Sequence, residues 1–290
     1  MLVSSICSST FLRRFSSNLT SVSLAFKRTG EPNDKVPLLI GHGLFGQKQN
    51  WTSVSKALNR RLNTPIYTFD WRNHGESPWT DEHTYELMAV DLANFIRETV
   101  REETGHEKID LLGHSMGGKA AAYFALQPTT QRLLNKLIIE DVAPHRGSSR
   151  KLFLGYVEAL QQLDLTKPRR EILSDLEAVV PDLSVRQFLL TNLVADPENR
   201  NHFKWKINLK GVGRSLDHVL NFRVESGSFS GPCLYVYGQK SDFVRNSDLT
   251  EIRNFFPNAR IEGIANAGHW LHAEQPAEFV DICVKFLSEN

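Results

Sequence analysis

The stretch Leu111-Leu112-Gly113-His114-Ser115-Met116-Gly117-Gly118-Lys119 restricts the fold of this chain more than any other. An apolar run, Ile109 to Leu112, leads into Gly-His-Ser-Met-Gly, and a small-residue run, Lys119 to Leu126, leads out. The pattern predicts a strand, a sharp turn and a helix. In a G-x-S-x-G elbow, the flanking glycines let strand and helix pass without a Cβ between them. The turn pushes the Ser115 hydroxyl out of the sheet and aims the Met116 N–H at the place where an oxyanion would form. Taken alone, the pentapeptide is equally an ordinary glycine-rich turn. The strand before it, the helix after it and the partners described below make Ser115 the candidate nucleophile.

The rest of the chain repeats the same rhythm. Ser21 to Phe26 alternates apolar and polar residues as a half-buried first strand would. Lys35 to Ile40 reads as a buried strand opening into the loop Gly41-His42-Gly43-Leu44-Phe45-Gly46, where the Leu44 N–H is a candidate second oxyanion donor. Asn50 to Leu62 has helical spacing, and Pro65 to Phe69 is a further strand that stops at Asp70-Trp71-Arg72-Asn73-His74. Asp70, Arg72 and His74 are expected to form an ion-paired turn holding the strand end rather than a reacting group. A helix from Tyr85 to about Val100, the elbow, and a strand at Leu137-Ile138-Ile139 ending in Glu140-Asp141 follow. Strands alternating with helices imply an α/β protein with a mostly parallel sheet covered on both faces. In such sheets the ligand site lies beyond the carboxyl ends of the strands. Gly41 to Phe45, Asp70, Ser115 and Asp141 all fall at such ends.

From about residue 146 to 226 the alternation stops, and helical patterns at Leu152 to Leu160, Ile172 to Val180, Phe188 to Val194 and Leu216 to Phe222 take over. Phe203, Trp205 and Ile207 suggest one short extended piece. This insert after the sixth strand is expected to act as a lid shaping an apolar pocket. Strand logic resumes at Cys233 to Gly238 and at Ile261 to Ile264, and a closing helix runs from Pro276 to Leu287.

Charge excludes some functions. Lys and Arg total 34 against 33 Asp and Glu, a net +1, with no basic block interleaved with aromatics, so nucleic acid is not an expected partner. Cys7, Cys233 and Cys283 are widely spaced and outside any C-x-x-C, which argues against a disulfide framework or a zinc site. Cys233 and Cys283 are expected as buried small hydrophobes. No apolar run approaches the roughly 18 residues of a membrane span. Met1 to Gly30 is basic, serine-rich and free of acids, the composition of a mitochondrial transit peptide. Its core, residues 1–20, would precede a single domain over residues 21–290 and direct it to the mitochondrial matrix.

A serine hydroxyl needs a base within hydrogen-bond reach, and histidine has the right pKa to take its proton and return it to a leaving group. His269, in a loop after the last strand and far downstream of Ser115, fits the Ser…acid…His chain order. His114 must point away from the serine it precedes, and His272 is expected at the surface. The acid is open between two residues. Asp242 lies one place beyond the G-x-x-D position that begins at Gly238, where Ser241 stands instead, while Asp141 ends the preceding strand on the same rim.

Gly41-His42-Gly43-Leu44-Phe45-Gly46, Asp70 to Ser77, Gly113 to Lys119, Asp141-Val142-Ala143-Pro144 and Asn266-Ala267-Gly268-His269-Trp270 together resemble the abhydrolase-domain-containing protein 11 family of α/β-hydrolases and its bacterial esterase relatives. The resemblance runs from about Ser21 to the end. It implies the α/β-hydrolase fold, with helices on both faces of the sheet and a helical lid. It also implies a mitochondrial serine esterase or lipase acting on acyl esters, acylglycerols included, with a small-molecule or lipid substrate and no cofactor or metal. The bacterial relatives take their acid from the Asp-x-Ala-Pro motif, which supports Asp141. Some members place an acid in the lid near Asn208-Leu209, but this chain has Lys210 there. The rival expectation is a hydrolase-fold binding or scaffolding protein without turnover, since fold does not dictate function.

Overall fold

Mostly apolar runs that end in or run into a glycine, a histidine or an acid become the five central strands of one sheet. The computed structural model describes residues 20–144, 150–223 and 226–289. Its first half comprises β1 (Phe26–Thr29), β2 (Leu38–Gly41), α1 (Thr52–Leu62), β3 (Ile66–Phe69), α2 (Tyr85–Phe95), α3 (Arg101–Thr104), β4 (Ile109–His114), α4 (Met116–Leu126) and β5 (Leu134–Glu140). Then come α5 (Arg150–Gln162), α6 (Arg169–Asp175), α7 (Leu183–Leu189), β6 (Leu193–Ala195), β7 (Phe203–Trp205) and α8 (Leu209–Asn221). The chain closes with β8 (Cys233–Gly238), α9 (Leu249–Phe255), β9 (Ala259–Ile264), α10 (Leu271–Glu274) and α11 (Pro276–Ser288). A π turn, Ile96–Val100, joins α2 to α3.

Seven strands lie in the order β1-β3-β2-β4-β5-β8-β9. Only β1 runs antiparallel, against β3, and every other neighbouring pair is parallel. Both faces are covered, which is why β2 to β5 are mostly apolar, interrupted within the strands by Thr68, Asp110, Asn135 and Lys136. Side chains still alternate between faces. Leu39, Leu111, Leu137 and Ile139 pack with residues of α2 and α4, whereas Leu38, Leu112, Ile138 and Leu234 pack with residues of α1 and α11. Cys233 and Cys283 are free and buried, as expected.

The first strand is displaced from its expected place. Ser21 to Ala25 is not part of a ladder, because its backbone groups are taken elsewhere: Val22 N–H donates to Asp91, Ala25 N–H to Ser77 Oγ, and the Ala25 carbonyl accepts from Asp70 N. The pairing begins only at Phe26. This arm is anchored by Arg72, which donates to both Asp91 carboxylate oxygens at 2.7 and 2.8 Å and to the Thr20 carbonyl at 3.1 Å. Arg72 and Asp91 are fully withdrawn from water. Removing one member of such a pair strands the other charge in the interior. Asp91→Ala is therefore expected to lower unfolding stability by about 3–5 kcal/mol, read as a fall in the urea midpoint with an unchanged m-value.

Among the described residues the insert leaves the sheet after β5, the fifth strand rather than the sixth, since the front of the sheet supplies only one antiparallel strand. Its helices α5 and α8 cover the patterns expected at Leu152 to Leu160 and from Leu216. By contrast, α6 stops at Asp175, short of Val180, and α7 lies mostly ahead of the stretch expected at Phe188 to Val194. Leu193 and Val194 depart from that stretch: helical spacing extends to these residues, yet they pair with Phe203–Trp205 as a two-stranded ribbon. Pro197 ends any helix here, and the turn is closed by Asp196 N–H donating to the His202 carbonyl at 2.8 Å.

Candidate active site

The carboxyl ends of β2, β4, β5, β8 and β9 bring the candidate residues together. Ser115 follows β4 directly and opens α4 with φ 53° and ψ −117°, a conformation costing about 1–3 kcal/mol that the surrounding structure must hold. The crossing is tight enough that a Cβ on Gly113 would stand 2.2 Å from the Gly117 carbonyl oxygen, so only glycine fits. A Cβ on Gly43 would lie 3.1 Å from the Ser115 Cβ, which shows how closely the glycine-rich loop passes the serine.

His269 sits in the loop after β9. Its Nε2 is 3.0 Å from Ser115 Oγ and its Nδ1 is 2.6 Å from Asp141 Oδ2. Asp141 has no exposed surface, and its backbone is held at φ 49° at the end of β5. Its carboxylate also accepts from the Gly238 N–H at 3.1 Å and from Ser241 Oγ at 2.5 Å. Burial pushes the Asp141 carboxyl up, and those two donors oppose the shift. Burial likewise pushes the His269 imidazolium down, so the ring is neutral at neutral pH. A carboxylate only accepts, so Nδ1 carries the proton and the Nε2 lone pair faces the serine hydroxyl.

The two candidate acids thus separate cleanly. Asp242 points into solvent with 90% of its side chain exposed and pairs with Arg245 at 3.2 Å. Ser241, which occupies the G-x-x-D position, instead donates to Asp141. Leu44 and Met116 line a narrow space of about 20 Å³ at Ser115, together with Tyr85, Val142, Phe153 and Phe243. Met116 is the first residue of α4, whose leading N–H groups have no intrahelical partner. Larger clefts lie elsewhere, one of about 540 Å³ beside Val36, Asp110 and Lys136 at the opposite ends of the strands and one of about 590 Å³ beside Asn50 and Pro276.

Asp70, Arg72 and His74 are structural, as expected, although their partners are not one another. Asp70 Oδ2 lies 2.5 Å from Lys48 Nζ. His74 receives the Phe45 N–H on Nε2 at 3.3 Å, and His42 receives the Trp71 N–H on Nε2 at 3.1 Å, so these buried neutral imidazoles brace the glycine-rich loop. Sequence reasoning missed Phe243, whose ring stacks on His269 at 3.8 Å, because an isolated aromatic residue carries no spacing signal. It also misplaced His272, which is buried against Trp51 at 4.2 Å and bonded to Glu140, since the short helix α10 turns it beneath the strand ends.

The α/β hydrolase fold family matches residues 36–276. The chain belongs to that family. This hydrolase-fold chain is 35% identical to an sn-1-specific diacylglycerol lipase ABHD11 from Danio rerio, over 98% of its own length and 93% of that protein. It is 33% identical to the protein of the same name from Mus musculus, over 97% and 91%. Among solved structures, one titled marine microorganism esterase superposes with a TM-score of 0.82 at 32% identity, covering 92% of the hydrolase-fold chain and all of the other.

Proposed function

We propose that the protein is a cofactor-free serine hydrolase of carboxylic esters, acylglycerols among them, with Ser115, His269 and Asp141 as its catalytic triad. The observation that carries this reading is the unbroken hydrogen-bonded row from Ser115 Oγ through His269 to Asp141. The relatives named lipase and esterase support the ester as substrate class.

In this mechanism Ser115 Oγ attacks the acyl carbonyl while its proton passes to His269 Nε2. The carbonyl oxygen becomes an oxyanion held by the Leu44 and Met116 N–H groups, each worth about 3 kcal/mol in the transition state. Collapse expels the alcohol, which takes the proton from Nε2. A water then repeats the sequence on the acyl-enzyme and releases the acid. Asp141 keeps Nδ1 protonated and stabilises the imidazolium formed in each half.

Phe153 of α5, and Val219 and Leu220 of α8, line the space at Ser115, so the insert supplies much of the acyl pocket. About 20 Å³ holds roughly one water, and an acyl chain therefore enters as the side chains that line this space, those of α5 and α8 among them, give way. The reading includes a mitochondrial matrix location. That part rests on the basic, acid-free composition of the leader, and residues 1–19 lie outside the described residues.

The test is labelling by a fluorophosphonate probe together with turnover of p-nitrophenyl esters from C2 to C16. Wild type is expected to label and to turn over part of the series. Neither labelling nor turnover would leave a binding protein. Import into isolated mitochondria with loss of the leader checks the location, and an unprocessed chain outside the organelle would remove it.

A further inference from the structure

A second carboxyl–imidazole pair lies directly behind the first. Glu140 and Asp141 are consecutive at the end of β5, and His272 follows His269 after one helical turn. Glu140 Oε1 accepts from the His272 backbone N–H at 3.2 Å and lies 2.7 Å from His272 Nδ1. The His272 ring is clamped on its other side by Trp51, stacked at 4.2 Å. Between the two pairs stands His114, from the end of β4. Its ring lies 4.7 Å from that of His269 and 5.0 Å from that of His272, and its Nε2 is 2.9 Å from the His269 carbonyl oxygen.

We propose that Glu140 and His272 are positioning residues that, with His114 as the link, hold the His269 loop against the ends of β4 and β5 and so set the reach of His269 to Ser115. The proposal rests on the catalytic reading of that row. Glu140 has no exposed surface, and its Oε2 has no hydrogen-bond partner among the described residues, an expense that packing alone does not explain. The groups that face this pair are His114 of β4, Asp141 just after β5, Glu274 of α10 and Cys283 of α11. Two adjacent buried carboxyls cannot both ionise cheaply. Burial pushes Glu140 up to about 8, which leaves the negative charge at neutral pH to Asp141, where the mechanism needs it. The ligand-type atoms of His114, Glu140 and His272 lie within 4.8 Å of one another, but His114 Nε2 and His272 Nδ1 are already engaged by the His269 carbonyl and by Glu140.

The experiment compares Glu140→Leu, Glu140→Gln and His272→Phe with wild type, the last keeping the stack on Trp51 while removing the side-chain hydrogen bond. Two readouts are followed in variants whose thermal unfolding remains cooperative: steady-state kinetics across pH on a p-nitrophenyl ester, and the proton resonance of His269 Nδ1–H. Glu140→Leu and His272→Phe are expected to lower kcat on the order of tenfold to a hundredfold with KM unchanged. Both are expected to shift the Nδ1–H resonance. Glu140→Gln, which keeps an acceptor for the His272 N–H, is expected to stay within about threefold of wild type. If Glu140→Leu does not fold, His272→Phe carries the comparison. Wild-type kcat and an unmoved resonance in folded variants would overturn the proposal. A wild type without turnover would sink the esterase reading alone, since the resonance still reports whether the pair positions His269.

Discussion

Ser115→Ala is expected to lower kcat for ester hydrolysis by about 10⁴–10⁶-fold while KM changes by less than about threefold. The reason lies in what the substitution leaves behind. The oxyanion donors Leu44 and Met116 are backbone groups and survive it, and so does the apolar lining from Tyr85, Phe153 and Phe243, so ground-state binding is kept. What disappears is the oxygen 3.0 Å from His269 Nε2, and with it the acyl-enzyme route. The remaining activity must come from water attacking a bound ester within the surviving oxyanion site. The fold is expected to persist, because alanine retains the Cβ and the backbone at φ 53° is held by the crossing of β4 and α4, not by the hydroxyl. The check is a kinetic series on the most reactive p-nitrophenyl ester, with fluorophosphonate labelling of the same sample. A variant that still labels, or that keeps a tenth of wild-type kcat, would move the nucleophile elsewhere.

The elbow was legible in the sequence because everything that forms it is local. An apolar strand, two glycines that must let backbone pass backbone, and a helix of small residues are contiguous, so strand, turn and helix could be placed before any contact was known. The rim was legible for a related reason: a parallel sheet covered on both faces presents its strand ends together, and Gly41, His114, Glu140 and the loop carrying His269 sit at those ends. What required the structure was information held by strand order. Along the chain Asp141 is favoured over Asp242 by the Asp-x-Ala-Pro resemblance, but only the neighbouring of β5 and β8 shows that Ser241 donates to Asp141 while Asp242 faces water. His272 was misplaced for the same reason, since its burial depends on Trp51 arriving from a distant turn. Val194 was drawn into a helix by apolar spacing that its pairing partner, Lys204, overrides.

Asp141→Asn decides the acid, and its expected effect is a loss of about 10⁴-fold in kcat, against a change of less than about twofold for Asp242→Asn. Size is preserved by the substitution, but hydrogen-bond polarity is not. The Gly238 N–H donates to Asp141 Oδ1, whereas the Ser241 hydroxyl and His269 Nδ1 both meet Oδ2, so an asparagine that keeps its carbonyl oxygen on the Gly238 N–H places its NH₂ at the Oδ2 position. Its NH₂ group then faces His269 Nδ1 at the 2.6 Å contact and can only donate. Nδ1 becomes the acceptor, the proton moves to Nε2, and the nitrogen beside Ser115 has no lone pair with which to take the hydroxyl proton. The pH profile gives an independent sign. A carboxylate near an imidazole favours the imidazolium, so removing its charge lowers the His269 pKa further below the value that burial already depresses. Activity is lost as pH falls through that pKa. The acid limb of kcat/KM for the residual activity of Asp141→Asn is therefore expected at lower pH than in wild type, while the limb of Asp242→Asn is expected to coincide with it. A limb that shifts in Asp242→Asn and not in Asp141→Asn would assign the charge that faces His269 to the exposed loop after β8.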